Sequence, residues 1–239
     1  MSATSYAVHA IEGSAWSTGP GGAEHATLTD RLGATETEVD AYRLDSDGRL
    51  SLDEAPEQLV IVIEGTIALA TDGESVIRSS NLLSVSAGRC VSVQAGPSSI
   101  LLVVSADTEP APEQPPTVLD PESAAFEIPA TSEIATAYLT SPLGLTGMKA
   151  NVRRLDPDQA VPAHTEGTQE ELFAPISGPA ALLIDGDRYP LATGDIARVG
   201  PDVPRSAIND GDQAALWVMI GAPPTGGPTD WDPGAEILD

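Results

Sequence analysis

The chain has 239 residues, with 36 acidic against 11 basic side chains and a formal net charge of −25. Because phosphate groups are bound mainly by Lys and Arg, so acidic a surface predicts neither a nucleic-acid nor a membrane partner. Apolar residues still make up 41% of the chain, which favours a folded protein over a disordered one.

Short β-branched and apolar runs separated by Gly, Pro, Asp and Asn predict strands joined by turns. The dipeptides Asp72-Gly73 and Asp185-Gly186 are typical of hairpin turns. No segment predicts an amphipathic helix longer than two turns, so we expect an all-β chain built from barrels or sandwiches. In chain order, the predicted strands are 60–63, 66–70, 82–85, 90–93, 100–104, 172–176, 180–184, 195–199 and 215–220.

The sequence repeats itself once, which predicts two copies of one domain. Segment 28–35 (LTDRLGAT) reappears as 139–146 (LTSPLGLT), and the match continues from 44–47 (LDSD) to 155–158 (LDPD). A repeat of this length corresponds to a whole domain rather than to a solenoid unit. The proline-rich stretch around 108–117 reads as a stiff linker between the copies.

The predicted organisation therefore has four parts. Residues 1–107 form a first barrel, 108–117 the linker, 118–220 a second barrel and 221–239 an acidic Pro/Gly-rich tail. Trp231, Ile237 and Leu238 on the tail either dock onto a neighbouring surface or belong to a frayed end. The assembly is expected to be a homo-oligomer or an internal pseudo-dimer of the two barrels.

The acidic excess is of the type found in proteins from a salt-rich cytoplasm. At molar salt the screening length is about 3 Å, so surface carboxylates repel one another little, and at low salt the repulsion returns. We therefore expect the protein to loosen or unfold when salt is withdrawn. Circular-dichroism melts over a KCl series measure this, and a melting temperature indifferent to KCl would contradict it.

The cysteine content and the length of the apolar segments indicate the cellular compartment of the protein. The single cysteine, Cys90, allows no intrachain disulfide, and we expect it to be a small buried apolar residue. No signal peptide is recognisable at the N-terminus, and the apolar runs are too short to span a bilayer. The sequence predicts a cytoplasmic protein.

Two segments of the second copy resemble the paired motifs of the cupin superfamily. The first motif (Gly, five residues, His-x-His, three or four residues, Glu, six residues, Gly) is matched by 158–178 (DQAVPAHTEGTQEELFAPISG). The second (Gly, five residues, Pro-x-Gly, two residues, His, three residues, Asn) is matched by 194–209 (GDIARVGPDVPRSAIN). With the internal repeat, the resemblance implies an all-β fold of two tandem cupin barrels (double-stranded β-helix or jelly roll), a bicupin.

The resemblance also implies where a metal would lie in such a barrel, and this chain departs from that pattern. Cupin enzymes hold a metal with three His and one Glu. Here the corresponding residues are His164, Glu166, Glu171 and Arg205. A guanidinium has no lone pair and stays protonated, so Arg205 cannot ligate a cation. Gly178 and Gly194 are expected to serve backbone geometry, and Glu170 is the rival of Glu171.

Two interpretations of this degenerate site follow. In one, His164, Glu166 and Glu171 hold a divalent ion, for which such hard donors favour Mn, Fe or Mg. In the other, which charge counting favours, no metal is needed. Arg205 takes the place of the ion and bridges Glu166 and Glu171, and the four side chains bound a small-ligand pocket.

The first copy matches these positions at Ser51, Asp53, Gln58 and either Val91 or Ser92, which predicts a structural barrel without a metal. Arg153 and Arg154 are adjacent, and there are two interpretations of the pair. In one, strand alternation turns one of them inward towards an anionic ligand. In the other, which is favoured, both lie on the surface and balance nearby acids.

The favoured function is therefore a small-ligand-binding bicupin with no catalytic metal and no cofactor. Its first rival is a metal-dependent enzyme of the dioxygenase or isomerase type that uses the His/Glu/Glu site. The second rival is a structural or oligomerisation module. The sequence leaves open whether the protein is an enzyme.

Overall fold

The computed structural model describes residues 5–19, 22–46, 48–52, 56–70, 76–111, 113–130 and 132–225. Strands dominate this part of the chain. Its helical elements are one short α-helix, α1 (Thr29–Leu32), and 3₁₀ turns at Ile11–Gly13 and Pro121–Ser123. In the described ranges, no helix is both long and apolar enough to cross a membrane.

The first half of the chain builds a large sheet facing a small one. The large sheet has the order β12-β9-β6-β11-β4-β3-β2 and the small one the order β5-β10-β7-β8. The bounds are β2 (Ser17–Thr18), β3 (Glu24–Thr27), β4 (Glu38–Leu44), β5 (Arg49–Leu52), β6 (Glu57–Glu64), β7 (Thr66–Leu69), β8 (Val76–Arg78), β9 (Leu82–Val85), β10 (Val91–Ala95), β11 (Ser99–Ala106) and β12 (Thr117–Leu119).

The second half repeats this arrangement. A six-stranded sheet of order β1-β18-β15-β20-β14-β13 faces a three-stranded sheet of order β17-β16-β19. The bounds are β1 (Tyr6–His9), β13 (Ala135–Tyr138), β14 (Lys149–Leu155), β15 (Glu170–Ser177), β16 (Ala180–Ile184), β17 (Asp187–Leu191), β18 (Ile196–Val199), β19 (Arg205–Ile208) and β20 (Ala215–Ala222).

The halves exchange edge strands. β1, from the start of the chain, pairs antiparallel with β18 of the second half, and β12, after the linker, pairs with β9 of the first. The predicted domain boundary at 108–117 stays a prediction. Residues 6–9 and 117–119, however, each pair with a strand on the other side of that boundary from the barrel to which their own neighbours in sequence belong. Each exchanged strand covers an edge that would otherwise expose unpaired N–H and C=O groups.

Three apolar clusters hold the molecule together. One lies inside each barrel, and the third lies between the two large sheets and draws on both halves. Alternate residues of one strand serve different clusters, because successive side chains point to opposite faces. On β6, for example, Leu59 packs between the halves and Val60 inside the first barrel, both fully buried.

The repeated segments form a reciprocal clasp between the halves. The backbone N–H and hydroxyl of Thr146 donate to Glu57 at 2.7 and 3.1 Å. The backbone N–H and hydroxyl of Thr35, its counterpart in the repeat, donate to Glu170 at 3.0 and 3.3 Å. The next backbone N–H along each chain segment completes the pattern, with a donor–acceptor distance of 2.9 Å to Glu57 and 3.0 Å to Glu170. The identity of the two threonines is thus explained by packing rather than by catalysis.

Every predicted strand is present, and the all-β prediction is confirmed. Asp185 and Gly186 have φ values of 51° and 86° between β16 and β17, as a hairpin turn of this type requires. Gly178 is required because a Cβ there would lie 2.3 Å from the carbonyl oxygen of Ala214. Asp72-Gly73, Trp231, Ile237 and Leu238 lie outside the described residues.

Candidate functional site

Two antiparallel segments bring His164 and Arg205 side by side at one end of the second barrel. The backbone N–H of each residue donates to the carbonyl of the other, at 3.1 and 3.0 Å. Glu171 is the second residue of β15, which crosses the same end of the barrel. Both His164 and Arg205 are buried, with 2% and 1% of their surfaces exposed.

The histidine and two carboxylates form a compact group. His164 Nε2 lies 3.3 Å from Glu166 Oε1 and 3.7 Å from Glu171 Oε2. One candidate ligand atom from each of the three residues can be chosen so that all lie within 4.8 Å of one another. At its other nitrogen, His164 Nδ1 donates to the carbonyl of Pro162 at 2.9 Å, which orients the ring. The structure thus brings together the three residues that the sequence selects.

Arg205 lies beside this group, and we call the four side chains of His164, Glu166, Glu171 and Arg205 the cup. Arg205 does not form the predicted bridge. Its guanidinium donates to the carbonyls of Gly200 at 2.9 Å and Pro201 at 3.2 Å. Its Nε lies 3.5 Å from Glu171 Oε2, whereas Glu166 pairs with His164 instead. The predicted bridge to both carboxylates is therefore wrong for Glu166, because the turn at 200–201 occupies the remaining guanidinium donors.

The charges of the cup depend on one another. Burial alone would lower the pKa of His164, but hydrogen bonds with Glu166 and Glu171 outweigh it and raise this pKa to about 9. Burial would raise the pKa of Glu171, but His164, Arg205 and Arg153 together lower it. At neutral pH the cup therefore contains an imidazolium, a guanidinium and an ionised Glu171.

A cavity of about 370 Å³ opens beside the cup, and Glu166 and Glu171 form part of its wall. A further part of the wall comes from β14, two strands from β15 in the same sheet, where Lys149, Asn151 and Arg153 alternate along the strand. Side chains two residues apart share a face of a strand, which is why these three all line the cavity. Sequence reasoning missed Asn151 and Lys149 as lining residues, although their spacing from Arg153 is the signal that could have found them.

The two neighbouring arginines separate as strand alternation requires. Arg153 lines the cavity. The side chain of Arg154 is 56% exposed and lies 3.9 Å from Asp156 on the surface. The interpretation of Arg153 and Arg154 as a plain surface pair is therefore wrong for Arg153.

Comparison with known proteins agrees with this architecture. Residues 151–221 match the family model for a cupin domain. The protein Ylba from E. coli superposes with a TM-score of 0.72 at 13% identity, over 91% of each chain. The chain has a cupin fold. No curated protein sequence matches it.

Other solved structures share the cupin fold at similarly low identity. AerE from Microcystis aeruginosa has a TM-score of 0.66 at 15% identity, over 90% of this chain and 96% of that one. A mutant of Bacillus subtilis oxalate decarboxylase OxdC has a TM-score of 0.70 at 12% identity, over 95% of this chain and 80% of that one. These structural likenesses span both halves of the chain.

Glu170, the rival of Glu171, lies outside this cupin site. Its carboxylate forms a 3.0 Å ion pair with Arg198 and accepts hydrogen bonds from residues 35–37 of the first half. Both carboxylate oxygens are occupied by these partners, which leaves Glu170 out of the His/Glu/Glu group, and only 2% of the residue is exposed, so it is not on a solvated face. Its role is in the clasp between the halves.

The corresponding end of the first barrel has different chemistry. There β5 and β10 pair Leu52 with Val91 and Ser51 with Ser92. Leu52 and Val91 are buried in the core of that barrel, whereas Ser51 and Ser92 are exposed. The inward pair is thus apolar, which supports a structural role for this barrel. Gln58, which matches Glu171, is buried.

The sequence analysis also singled out Asp53 and Cys90 in the first copy. Asp53, the match of Glu166, lies outside the described residues. Cys90 is exposed, so the expectation of a buried thiol is wrong. It directly precedes β10, in a turn where the chain runs along the surface.

The residues of the second barrel do not fit the metal that the cupin family implies. Glu171 Oε2, one of three potential donor atoms, is shared with the fixed guanidinium of Arg205. Arg153 faces the same carboxylates, so two guanidinium groups and the imidazolium of His164 already lie around Glu166 and Glu171. A divalent ion would add two further positive charges to a buried site that already holds three cationic side chains, which is electrostatically costly.

Proposed function

We propose that the protein is a bicupin whose second barrel binds a small ligand without a metal. The observation that carries this proposal is the position of Arg205. A permanently charged group lies 3.5 Å from Glu171 Oε2 and is anchored by two backbone carbonyls, so it supplies the positive charge beside the carboxylates. The adjacent cavity of about 370 Å³ is within the size range of small-molecule sites.

The division of labour between the barrels supports the same proposal. The first barrel buries the apolar pair Leu52 and Val91 at the end where the second has His164 and Arg205. We therefore place the ligand site in the second barrel and give the first a supporting role. The apolar cluster between the large sheets supports an internal pseudo-dimer of barrels.

A metal analysis tests the proposal directly. Untagged protein, expressed with added Mn and Fe and purified in high salt, is expected to hold less than about a tenth of a metal ion per chain, since three cationic side chains already lie around the two carboxylates. The control is a Glu171→Gln variant, which measures binding to the acidic surface alone. Near-stoichiometric Mn or Fe in the wild type, lost in Glu171→Gln, would overturn the proposal.

One observation favours a second candidate, a metal-dependent enzyme. His164, Glu166 and Glu171 offer ligand atoms within 4.8 Å of one another, and all three residues are buried. Among the structures with this fold, Bacillus subtilis oxalate decarboxylase contains Mn(II) centres. The metal-positive outcome of the analysis above would support this candidate.

A further inference from the structure

Arg153 lines the cavity, and two of its guanidinium nitrogens have no hydrogen-bond partner among the described residues. Its Nε and Nη1 are shielded from solvent and have no hydrogen-bond partner in the described part of the chain. Leaving charged donors unpaired is costly, so buried guanidinium groups are normally matched by an acceptor. Here no described residue supplies that acceptor to Nε or Nη1.

The rest of the cavity wall divides by charge. Lys149, the single lysine of the chain, lies on the same strand and the same wall as Arg153. Glu166 lines the same cavity, and its Oε2 is a buried acceptor that has no hydrogen-bond partner among the described residues. Arg153 forms no ion pair within 4.0 Å with either Glu166 or Glu171 across the described ranges, although all three line one cavity.

This separation of charges defines a complementary ligand. We propose that the cavity binds a small amino acid-like molecule, with its carboxylate on Arg153 and its ammonium group directed to Glu166. A planar guanidinium binds a carboxylate through two parallel N–H···O bonds, a geometry that neither water nor chloride reproduces. The inference rests on the proposed function, that the second barrel binds a small ligand, and adds the ligand class.

Matched small molecules test the ligand class. The probes are glycine, β-alanine and 4-aminobutyrate, which place the two charges at three separations. Acetate, propionate and butyrate are the corresponding acids without the amine. Calorimetric titrations at constant ionic strength are expected to show at least one amino acid binding more tightly than its amine-free acid by about tenfold or more, since each charge-assisted contact contributes at this level.

Variants of Arg153 test the contact itself. Arg153→Gln is expected to weaken binding of the best probe by about tenfold or more, and Arg153→Lys by less, because lysine keeps the charge but not the fork. Arg154→Gln is the matched control, one residue along β14 and on the outer face, and is expected to leave the affinity unchanged. Melting curves of all variants in the same salt establish that each is folded.

The outcomes separate this inference from the proposed function. Equal affinity of Arg153→Gln and wild type, or no binding of any of the six probes, overturns the ligand class. Binding of the three amine-free acids as tightly as the amino acids overturns the role of Glu166. The metal analysis of the wild type decides the proposed function independently, because it uses no ligand.

Discussion

Replacing Arg205 by histidine is expected to create a metal site in the second barrel. The variant removes the guanidinium that lies 3.5 Å from Glu171 Oε2 and puts an imidazole beside His164. The group would then hold two histidines and two carboxylates, and the loss of one fixed positive charge makes a divalent ion favourable. We expect bound Mn to rise from below a tenth to nearly one ion per chain, measured by metal analysis after dialysis.

A histidine introduced at a surface position is the control for metal binding that does not depend on the cup. Arg188 lies on β17, the other edge strand of the three-stranded sheet that contains Arg205, and pairs with Asp210 on the surface. Arg188→His is expected to leave the metal content at the wild-type level. If Arg205→His folds, as judged by its melting curve, and still holds no more metal than Arg188→His, the guanidinium is not what keeps metal out.

Replacing Glu170 by glutamine is expected to cost the protein about 3–5 kcal/mol of unfolding free energy. The substitution removes the 3.0 Å ion pair between Glu170 and the buried Arg198. It also weakens the acceptor of the hydrogen bonds from residues 35–37, and with them the clasp between the halves. Urea unfolding in high KCl measures the loss.

The repeat supplies a matched control for this effect. Glu57 accepts the equivalent bonds from Thr146 and Gly147 and is also buried, but no arginine pairs with it in the described residues. Glu57→Gln is therefore expected to cost less, about 1–2 kcal/mol. Equal losses in the two variants would show that the ion pair with Arg198 is not the main contribution.

The strands and the cup were predictable because their signals are local. Short β-branched runs bounded by turn residues identified nine of the strands, with members in each barrel. The fixed spacing of the motif brought His164, Glu166, Glu171 and Arg205 to one place, since residues on facing strands meet in a closed barrel. A motif spacing encodes strand register, and register determines these positions.

The remaining features depend on contacts that the spacing does not encode. Tyr6–His9 is not among the predicted strands, and nothing in its four residues specifies that it pairs with β18 across the molecule. Glu170 and Glu171 are adjacent and identical in type, yet one faces the cup and the other the clasp, which only the strand phase decides. The hydrogen bonds of the Arg205 guanidinium go to the carbonyls of the turn at 200–201, and the motif spacing does not indicate these acceptors.

Anomalous scattering at the manganese edge, from a crystal soaked in Mn²⁺, tests most directly whether a side chain has taken over the role of the ion. We predict no peak between His164, Glu166 and Glu171, with continuous density for the Arg205 guanidinium against Gly200 and Pro201. A strong peak within ligand distance of those three residues, with Arg205 displaced from Glu171, would contradict the account.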